Sequence, residues 1–213
     1  MNKEQIKWLF FDIGGTLVNE KEAFRRRVQR TVAMQKEIGN EYTEEELERV
    51  MRASAMSGRS YFRGAMKTLG ISKFAPYDAV GEELYPEARE ALKILSEKYR
   101  LGIIANQPKG TEKRLIKYGI RPYFSLILSS AEEGIEKPDP QIFLRALDQT
   151  GCLPSEAVMI GDRPDNDIAP AKALGMRTVR ITQGLGGVMP VKGMEMQADR
   201  TISNLLELLS FLL

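Results

Sequence analysis

The sequence predicts an α/β fold, in which a doubly wound, Rossmann-like parallel sheet is interrupted after its first strand by a small all-helical domain. Three observations support this prediction. Short apolar runs recur along the chain and end in polar residues, as buried parallel strands do. Beyond about residue 86 these runs alternate with amphipathic helical patterns, which is typical of right-handed βαβ units. Between Asn19 and Leu84 the patterns are helical instead. We therefore assign residues 1–17 and 85–213 to the core and residues 18–84 to a helical cap.

The first predicted strand ends on a carboxylate. An apolar run leads directly into Asp12, and Gly14, Gly15 and Thr16 follow within four residues. Open α/β sheets place their chemistry at the carboxyl ends of the strands. Asp12 therefore lies where a reactive carboxylate is expected, and the two glycines allow the backbone to approach a ligand closely.

Three helices are predicted in the cap. The first begins near Phe24 and extends to Gln35, with one mixed face. The second begins after Thr43, because Thr43 and Glu46 form a capping-box pattern. The third covers 61–69 and ends at a glycine.

The rest of the chain predicts the remaining core elements. Further strands are expected at 101–105, 126–128, 158–160 and 178–181. Helices are expected at 88–95, at 111–119 with Thr111 as the cap, at 140–151 with Asp139 as the cap, at 168–174, and at 205–213 with Ser203 as the cap.

Composition excludes several kinds of catalysis. The chain has 213 residues and no histidine, so Ser-His-Asp and Cys-His catalysis and all histidine-containing metal sites are excluded. Its one cysteine, Cys152, excludes an internal disulfide and is expected to be a small buried apolar residue. A formal charge of +2 gives no electrostatic reason to expect a nucleic-acid or membrane partner. With no visible signal peptide, we expect a cytoplasmic protein, either a monomer or a weak homodimer.

Three later segments place polar groups near strand ends. Asn106 follows Ala105, and the two together are candidates to bind an oxyanion through backbone N–H groups and the amide side chain. Lys137 precedes a helix start braced by prolines, where a fixed ammonium group neutralises developing phosphoryl charge. Asp162 ends a strand and Asp167 opens the next helix, and two carboxylates at this separation are able to face one Mg²⁺ ion. Asp167 is also a candidate helix cap.

The four segments, in this order, resemble the four motifs of the haloacid dehalogenase superfamily, and the helical insert resembles the C1 cap of its subfamily I. The resemblance implies that Asp12 is a nucleophile that becomes phosphorylated and that Lys137 is the lysine of the third motif. It implies Mg²⁺ held by Asp12, the Gly14 carbonyl, Asp162 and, directly or indirectly, Asp167. The phosphate would lie among Gly14, Gly15, Ala105, Asn106 and Lys137.

Two departures leave the activity open. Phosphatases of the family carry a second aspartate where this chain has Gly14, and a hydroxyl where it has Ala105. That aspartate protonates the leaving alcohol and then activates water. Without it, slow hydrolysis and a strong dependence on leaving-group acidity are expected, unless another acid substitutes. Glu20 and Glu22 lie just beyond, and both are expected to be solvated.

Three functions remain open on this evidence. The first is a Mg²⁺-dependent phosphatase acting on a small phosphorylated metabolite. The second is a catalytically weak phosphate-binding or regulatory relative, and the third is a dehalogenase that needs no metal. The cap is expected to select the substrate. Most of its arginines are expected to form a solvated face, and one of them is a candidate to bind an anionic substrate tail (Arg25, Arg26, Arg27, Arg30, Arg59 and Arg63).

Overall fold

The fold is organised around a six-stranded parallel sheet. The computed structural model describes residues 5–213. In spatial order the sheet reads β5-β4-β1-β6-β7-β8, and every neighbouring pair is parallel. Its strands are β1 (Trp8–Phe11), β4 (Arg100–Ala105), β5 (Phe124–Ser129), β6 (Ala157–Gly161), β7 (Arg177–Ile181) and β8 (Arg200–Ile202). Two short strands, β2 (Val18–Asn19) and β3 (Glu83–Leu84), form a separate antiparallel ribbon. The predicted doubly wound α/β core is thus confirmed.

Helices cover both faces of the sheet and build the insert. They are α1 (Lys21–Glu37), α2 (Glu44–Met56), α3 (Tyr61–Thr68), α4 (Ala88–Ser96), α5 (Thr111–Lys117), α6 (Ser130–Glu133), α7 (Pro140–Thr150), α8 (Ala169–Ala173) and α9 (Glu207–Leu212). Among residues 5–213, none of the helices is both long and apolar enough to cross a lipid bilayer.

Alternation along β1 divides the core into two layers. Leu9 and Phe11 face a cluster that includes α4 and α9, whereas Trp8 and Phe10 face a second cluster built on α7. This follows from the two-residue period of a strand, whose side chains point alternately to opposite faces. Cys152 is buried in the second cluster as a free thiol, as expected. Because β1 is covered on both faces, its carboxyl end is held rigidly at the centre of the sheet.

The cap has a hydrophobic cluster of its own. Residues of α1, α2 and α3 meet there, with Val28, Leu47 and Phe62 fully or almost fully buried. The chain enters the cap along β2 and returns along β3, so the ribbon marks the crossing between the two parts. The exact domain limits of 18 and 84 remain a prediction.

Three of the predicted helix N-cap residues differ from those in the structure. Gly110, with φ of +86°, precedes α5, and Thr111 is instead its first residue, with its hydroxyl bonded to the Pro108 carbonyl. Helix α9 begins only at Glu207, because the Ser203 N–H and hydroxyl both donate to the Glu207 carboxylate. Ile168, rather than Asp167, precedes α8. Each predicted cap has an alternative partner nearby that the linear pattern does not reveal.

The N-cap residue of α2, Thr43, provides a test of local stability. The Thr43 hydroxyl accepts a hydrogen bond from the Glu46 N–H at 3.0 Å, as predicted. We expect Thr43→Ala to lower the free energy of unfolding by about 1 kcal/mol, because one helix N–H loses its partner. Urea unfolding followed by circular dichroism measures the change. Ser60→Ala is the matched control, since Ser60 precedes α3 without capping it. Equal losses in the two variants would contradict this assignment.

Candidate active site

The predicted site residues meet at the carboxyl edge of the sheet. Asp12 follows β1, Ala105 ends β4 and Asp162 follows β6. Since β1 lies between β4 and β6, the ends of these three strands are neighbours. The chain order also reverses at β1, which is where open α/β sheets form a ligand crevice.

Lys137 lies at the centre of this group. Its Nζ donates to Asp12 Oδ1 at 2.9 Å and to Asp167 Oδ1 at 2.5 Å. The lysine side chain is 1% exposed. Burial disfavours the ammonium charge, but the carboxylates of Asp12 and Asp167 outweigh that effect and raise the pKa of Lys137 above its usual value. The lysine is therefore a fixed positive charge beside the candidate nucleophile.

Asn106 holds the backbone of Lys137. Its Nδ2 donates to the Lys137 carbonyl at 2.8 Å, and the Lys137 N–H donates back to Asn106 Oδ1 at 2.7 Å. Both polar atoms of the side chain therefore contact residue 137. This contact fixes the lysine, while direct binding of phosphate by Asn106 and by the buried Ala105 remains a prediction.

Three carboxylates form a compact acidic cluster. Asp12, Asp162 and Asp167 each offer an oxygen, and these oxygens all lie within 4.8 Å of one another. Burial and the mutual repulsion of the carboxylates raise the pKa of Asp162, and burial raises the pKa of Asp167 although Lys137 opposes it. One ammonium group does not balance three carboxylates. The cluster therefore fits a hard divalent cation such as Mg²⁺, which prefers carboxylate oxygens.

Glycines make room for this cluster. Gly15 has φ of +69°, and a Cβ there would lie 2.9 Å from Asp162 Cγ. A Cβ at Gly186, in the loop after β7, would overlap the same carboxylate, and one at Gly161 would lie 2.6 Å from Asp167 Cβ. The Asp167 carboxylate also accepts the Arg163 N–H at 3.0 Å, inside a π-helical turn at Pro164–Ile168. Only residues without side chains allow the two carboxylates to turn inward.

Glu20 differs from the sequence prediction, because it is not solvated. It is only partly exposed, and its Oε1 accepts a hydrogen bond from the Tyr77 hydroxyl at 2.9 Å. Burial, with smaller contributions from the Glu82 and Asp12 carboxylates, raises the pKa of Glu20 to about 8. Glu22 is exposed as expected and pairs with Arg25. The sequence carries no signal for this burial, because the first cap helix is predicted to begin only near Phe24.

The cap arginines mostly serve the cap itself. Arg27 places its guanidinium 3.6 Å from the centre of the Phe62 ring and donates to the Ala75 carbonyl. Arg30 donates to the Pro76 carbonyl and pairs with Asp78. The other four are exposed, as predicted for a solvated face (Arg25, Arg26, Arg59 and Arg63).

The cap brings tyrosines toward the site. Burial raises the pKa of the Tyr61 phenol, and the negative charges of Glu20 and Asp162 add to the effect. Sequence reasoning missed both Tyr61 and Tyr77.

Comparisons with known proteins agree on one class of hydrolase. A family model described as haloacid dehalogenase-like hydrolase matches residues 6–175. The glyceraldehyde 3-phosphate phosphatase of Methanocaldococcus jannaschii is 32% identical, over 95% of this chain and 95% of its own length. A crystal structure of a predicted phosphoglycolate phosphatase from Haemophilus somnus superposes with a TM-score of 0.74 at 22% identity, covering 97% of each chain. The magnesium-bound HAD-hydrolase YfnB of Bacillus subtilis has a TM-score of 0.69 at 20% identity, covering 97% of this chain and 98% of its own.

The acidic cluster predicts that cation binding depends on pH. Since the pKa values of Asp162 and Asp167 are raised in the folded protein, the metal-free fold binds protons more tightly than the unfolded chain. Its stability should therefore fall as pH rises from about 4 toward the raised pKa of Asp167, about 6. Mg²⁺ displaces those protons, so its stabilising effect should grow over the same range. At a hundred times its dissociation constant, Mg²⁺ should contribute about 2.7 kcal/mol.

Thermal unfolding with Mg²⁺ or with EDTA, at several pH values, measures this effect. For a chain of this size we expect a rise of roughly 5–10 °C at saturating Mg²⁺. Asp162→Asn should abolish most of the rise, because it removes an anionic ligand, whereas Asp165→Asn, on the neighbouring turn, should retain it. If Mg²⁺ raises the melting temperature by the same amount at pH 5 and at pH 7.5, the ion binds elsewhere.

Proposed function

Because this chain belongs to the haloacid dehalogenase-like hydrolases, we propose that it is a Mg²⁺-dependent phosphatase of small phosphate monoesters. One observation carries the proposal. Lys137 Nζ lies within hydrogen-bond distance of Asp12, and the oxygens of Asp12, Asp162 and Asp167 converge within 4.8 Å. A nucleophile, a fixed positive charge and a cation site thus share one buried strand edge.

The proposed reaction proceeds through an aspartyl-phosphate. A carboxylate oxygen of Asp12 attacks phosphorus, the bond from phosphorus to the leaving oxygen breaks, and an acyl-phosphate remains on the enzyme. Water then attacks the same phosphorus, which releases inorganic phosphate and restores the Asp12 carboxylate. Lys137 opposes the charge on the phosphoryl oxygens throughout, and its position is fixed beforehand by Asn106.

Asp12, Asp162 and Asp167 would hold the Mg²⁺ ion. When bound, the ion would supply positive charge to the phosphoryl oxygens. The resemblance to the family adds the Gly14 carbonyl as a further ligand, and this assignment remains a prediction. The cluster disfavours the dehalogenase alternative, because carboxyl displacement of a halide gives three converging carboxylates no role.

A short sugar phosphate is the first substrate to test. The Methanocaldococcus jannaschii relative, similar over 95% of both chains, is named a glyceraldehyde 3-phosphate phosphatase. A three-carbon phosphate ester therefore ranks above larger phosphorylated metabolites in our proposal.

Asp12→Asn tests the nucleophile. The amide cannot form an acyl-phosphate, so Mg²⁺-dependent release of phosphate should fall by several orders of magnitude. The assay would use glyceraldehyde 3-phosphate, phosphoglycolate and p-nitrophenyl phosphate, with phosphate release as the readout and circular dichroism as the check of folding. Asp139→Asn is the matched control, since Asp139 only caps α7 and asparagine caps equally well.

Substantial turnover by folded Asp12→Asn would exclude the mechanism. Binding of phosphate by the natural chain without any turnover would favour a phosphate-binding relative instead. Metal-independent release of halide from a haloacid would favour a dehalogenase.

A further inference from the structure

The space beside Gly14 is filled by another carboxyl group. A Cβ built on Gly14 would overlap the Glu20 carboxyl group, lying 2.6 Å from its Cδ and 2.8 Å from its Oε1. Gly14 itself does not need the left-handed backbone that excludes side chains, unlike Gly15. In this structure the Glu20 carboxyl group therefore occupies the place where a side chain at position 14 would begin.

We propose that Glu20 is the acid and base of the phosphatase reaction, taking the part that an aspartate at position 14 would take. This inference rests on the function proposed above and identifies a further catalytic residue for it. The Glu20 carboxyl would reach the leaving oxygen of a phosphate held at Asp12, since it lies where the side chain of residue 14 would begin, two residues after the nucleophile.

The position of Glu20 is set by the surrounding contacts rather than by α1. Glu20 precedes α1 in the place of a capping residue, yet its side chain caps nothing in that helix. It is turned instead toward the Tyr77 hydroxyl, which contacts Glu20 Oε1 at 2.9 Å and Glu82 Oε1 at 2.5 Å. Tyr77 and Glu82 both belong to the cap, and Glu82 also receives the hydroxyl of Tyr118 in the core. The Glu20 carboxyl is therefore connected to the core through Tyr77 and Glu82.

The hydrogen bonds around Tyr77 include one contact that a proton on Glu20 would satisfy. The single hydroxyl hydrogen of Tyr77 cannot be donated to two carboxylates at once. Glu82 also receives the Tyr118 hydroxyl and has Arg114 Nη1 at 3.8 Å, so it is the better acceptor for Tyr77. A protonated Glu20 would be able to satisfy the remaining contact by donating its own O–H to the Tyr77 oxygen while Tyr77 donates to Glu82. The network is thus compatible with Glu20 acting as a neutral acid beside the site.

The proton balance of the two steps is then complete. As phosphorus leaves the substrate oxygen for Asp12, Glu20 gives its proton to that oxygen, and an alcohol and a Glu20 carboxylate result. In the second step the attacking water gives one proton to Glu20 and its oxygen to phosphorus. Inorganic phosphate departs, and Asp12 and the protonated Glu20 are restored. No group outside the site is required for either transfer.

The natural chain provides the first measurement. With Mg²⁺, we expect an alkyl phosphate such as glyceraldehyde 3-phosphate to be hydrolysed with a kcat within about tenfold of that for p-nitrophenyl phosphate. The reason is that an acid protonates the departing oxygen and so assists a poor leaving group. An alkyl kcat lower by about 10³-fold or more, with chemistry rate-limiting, would overturn the role of Glu20. Absence of turnover on any ester would overturn the proposed function together with it.

Glu20→Gln then isolates the acid, since the amide preserves the volume of the side chain. Alkyl turnover should fall by about 10²–10⁴-fold. The aryl ester should still release one equivalent of alcohol in a burst, after which phospho-enzyme accumulates because water is no longer activated. Glu22→Gln is the matched control, since Glu22 is an exposed glutamate two residues away, and it should behave as the natural chain.

An exchange of the two positions separates a catalytic from a structural role. Gly14→Asp in a Glu20→Ala background places an acid in the space that Glu20 vacates. It should restore alkyl turnover by about tenfold or more over Glu20→Ala alone. If Glu20→Gln does not fold, this exchange variant and the substrate comparison above decide the question.

Two results would overturn the inference while leaving the proposed function intact. One is alkyl turnover by folded Glu20→Gln at the natural level, with Asp12→Asn inactive. The other is an equal loss of turnover on alkyl and aryl esters in Glu20→Gln, with no burst of alcohol and no rescue by the exchange variant. That result would show that Glu20 only supports the loop.

Discussion

The buried ion pair between Lys137 and its two carboxylates is the contact on which the rest of the site depends. Taking an ammonium group and carboxylates out of water costs several kcal/mol per ion unless they are paired and hydrogen-bonded. Here Lys137 lies 2.9 Å from Asp12 and 2.5 Å from Asp167, at almost no exposure. Removing Lys137 would leave the Asp12 and Asp167 carboxylates buried without a positive partner, which is strongly destabilising.

The surrounding structure holds this ion pair in place. Asn106, at the end of β4, binds the Lys137 backbone through both atoms of its amide. A π-helical turn after β6 directs the Asp167 carboxylate back toward the site, and Gly161 leaves room for it. Each strand of the sheet centre therefore contributes either one charged group or the contact that fixes one. Charges fixed in this way would not need to reorganise during the proposed reaction, which favours electrostatic catalysis.

The proposed acid is Glu20 and not residue 14, so it belongs to the cap. An acid at position 14 would belong to the core alone, whereas Glu20 begins the cap and is held by Tyr77 and Glu82. Cap contacts therefore hold the proposed acid. Arg27 and Arg30 support the same arrangement at a distance, since they fix the segment 75–78 that carries Tyr77 against α1. A change within the cap would therefore alter the contacts that hold the proposed acid.

The sequence by itself determined the fold class, the order of the main elements and the residues that end β1 and β6. These features are encoded locally, in apolar runs and in the polar residue that follows each run, so Asp12 and Asp162 could be placed at strand ends from the sequence alone. The tertiary structure decided which of these side chains meet. It assigned Asn106 to the Lys137 backbone, placed Asp167 in a π-helical turn, and added the short strand β8, whose exposed residues show no alternation. It also brought Glu20 into the space beside Gly14. That contact depends on Tyr77 and Glu82, more than fifty residues away along the chain, and no local pattern encodes a distance between side chains that only packing of the cap brings together.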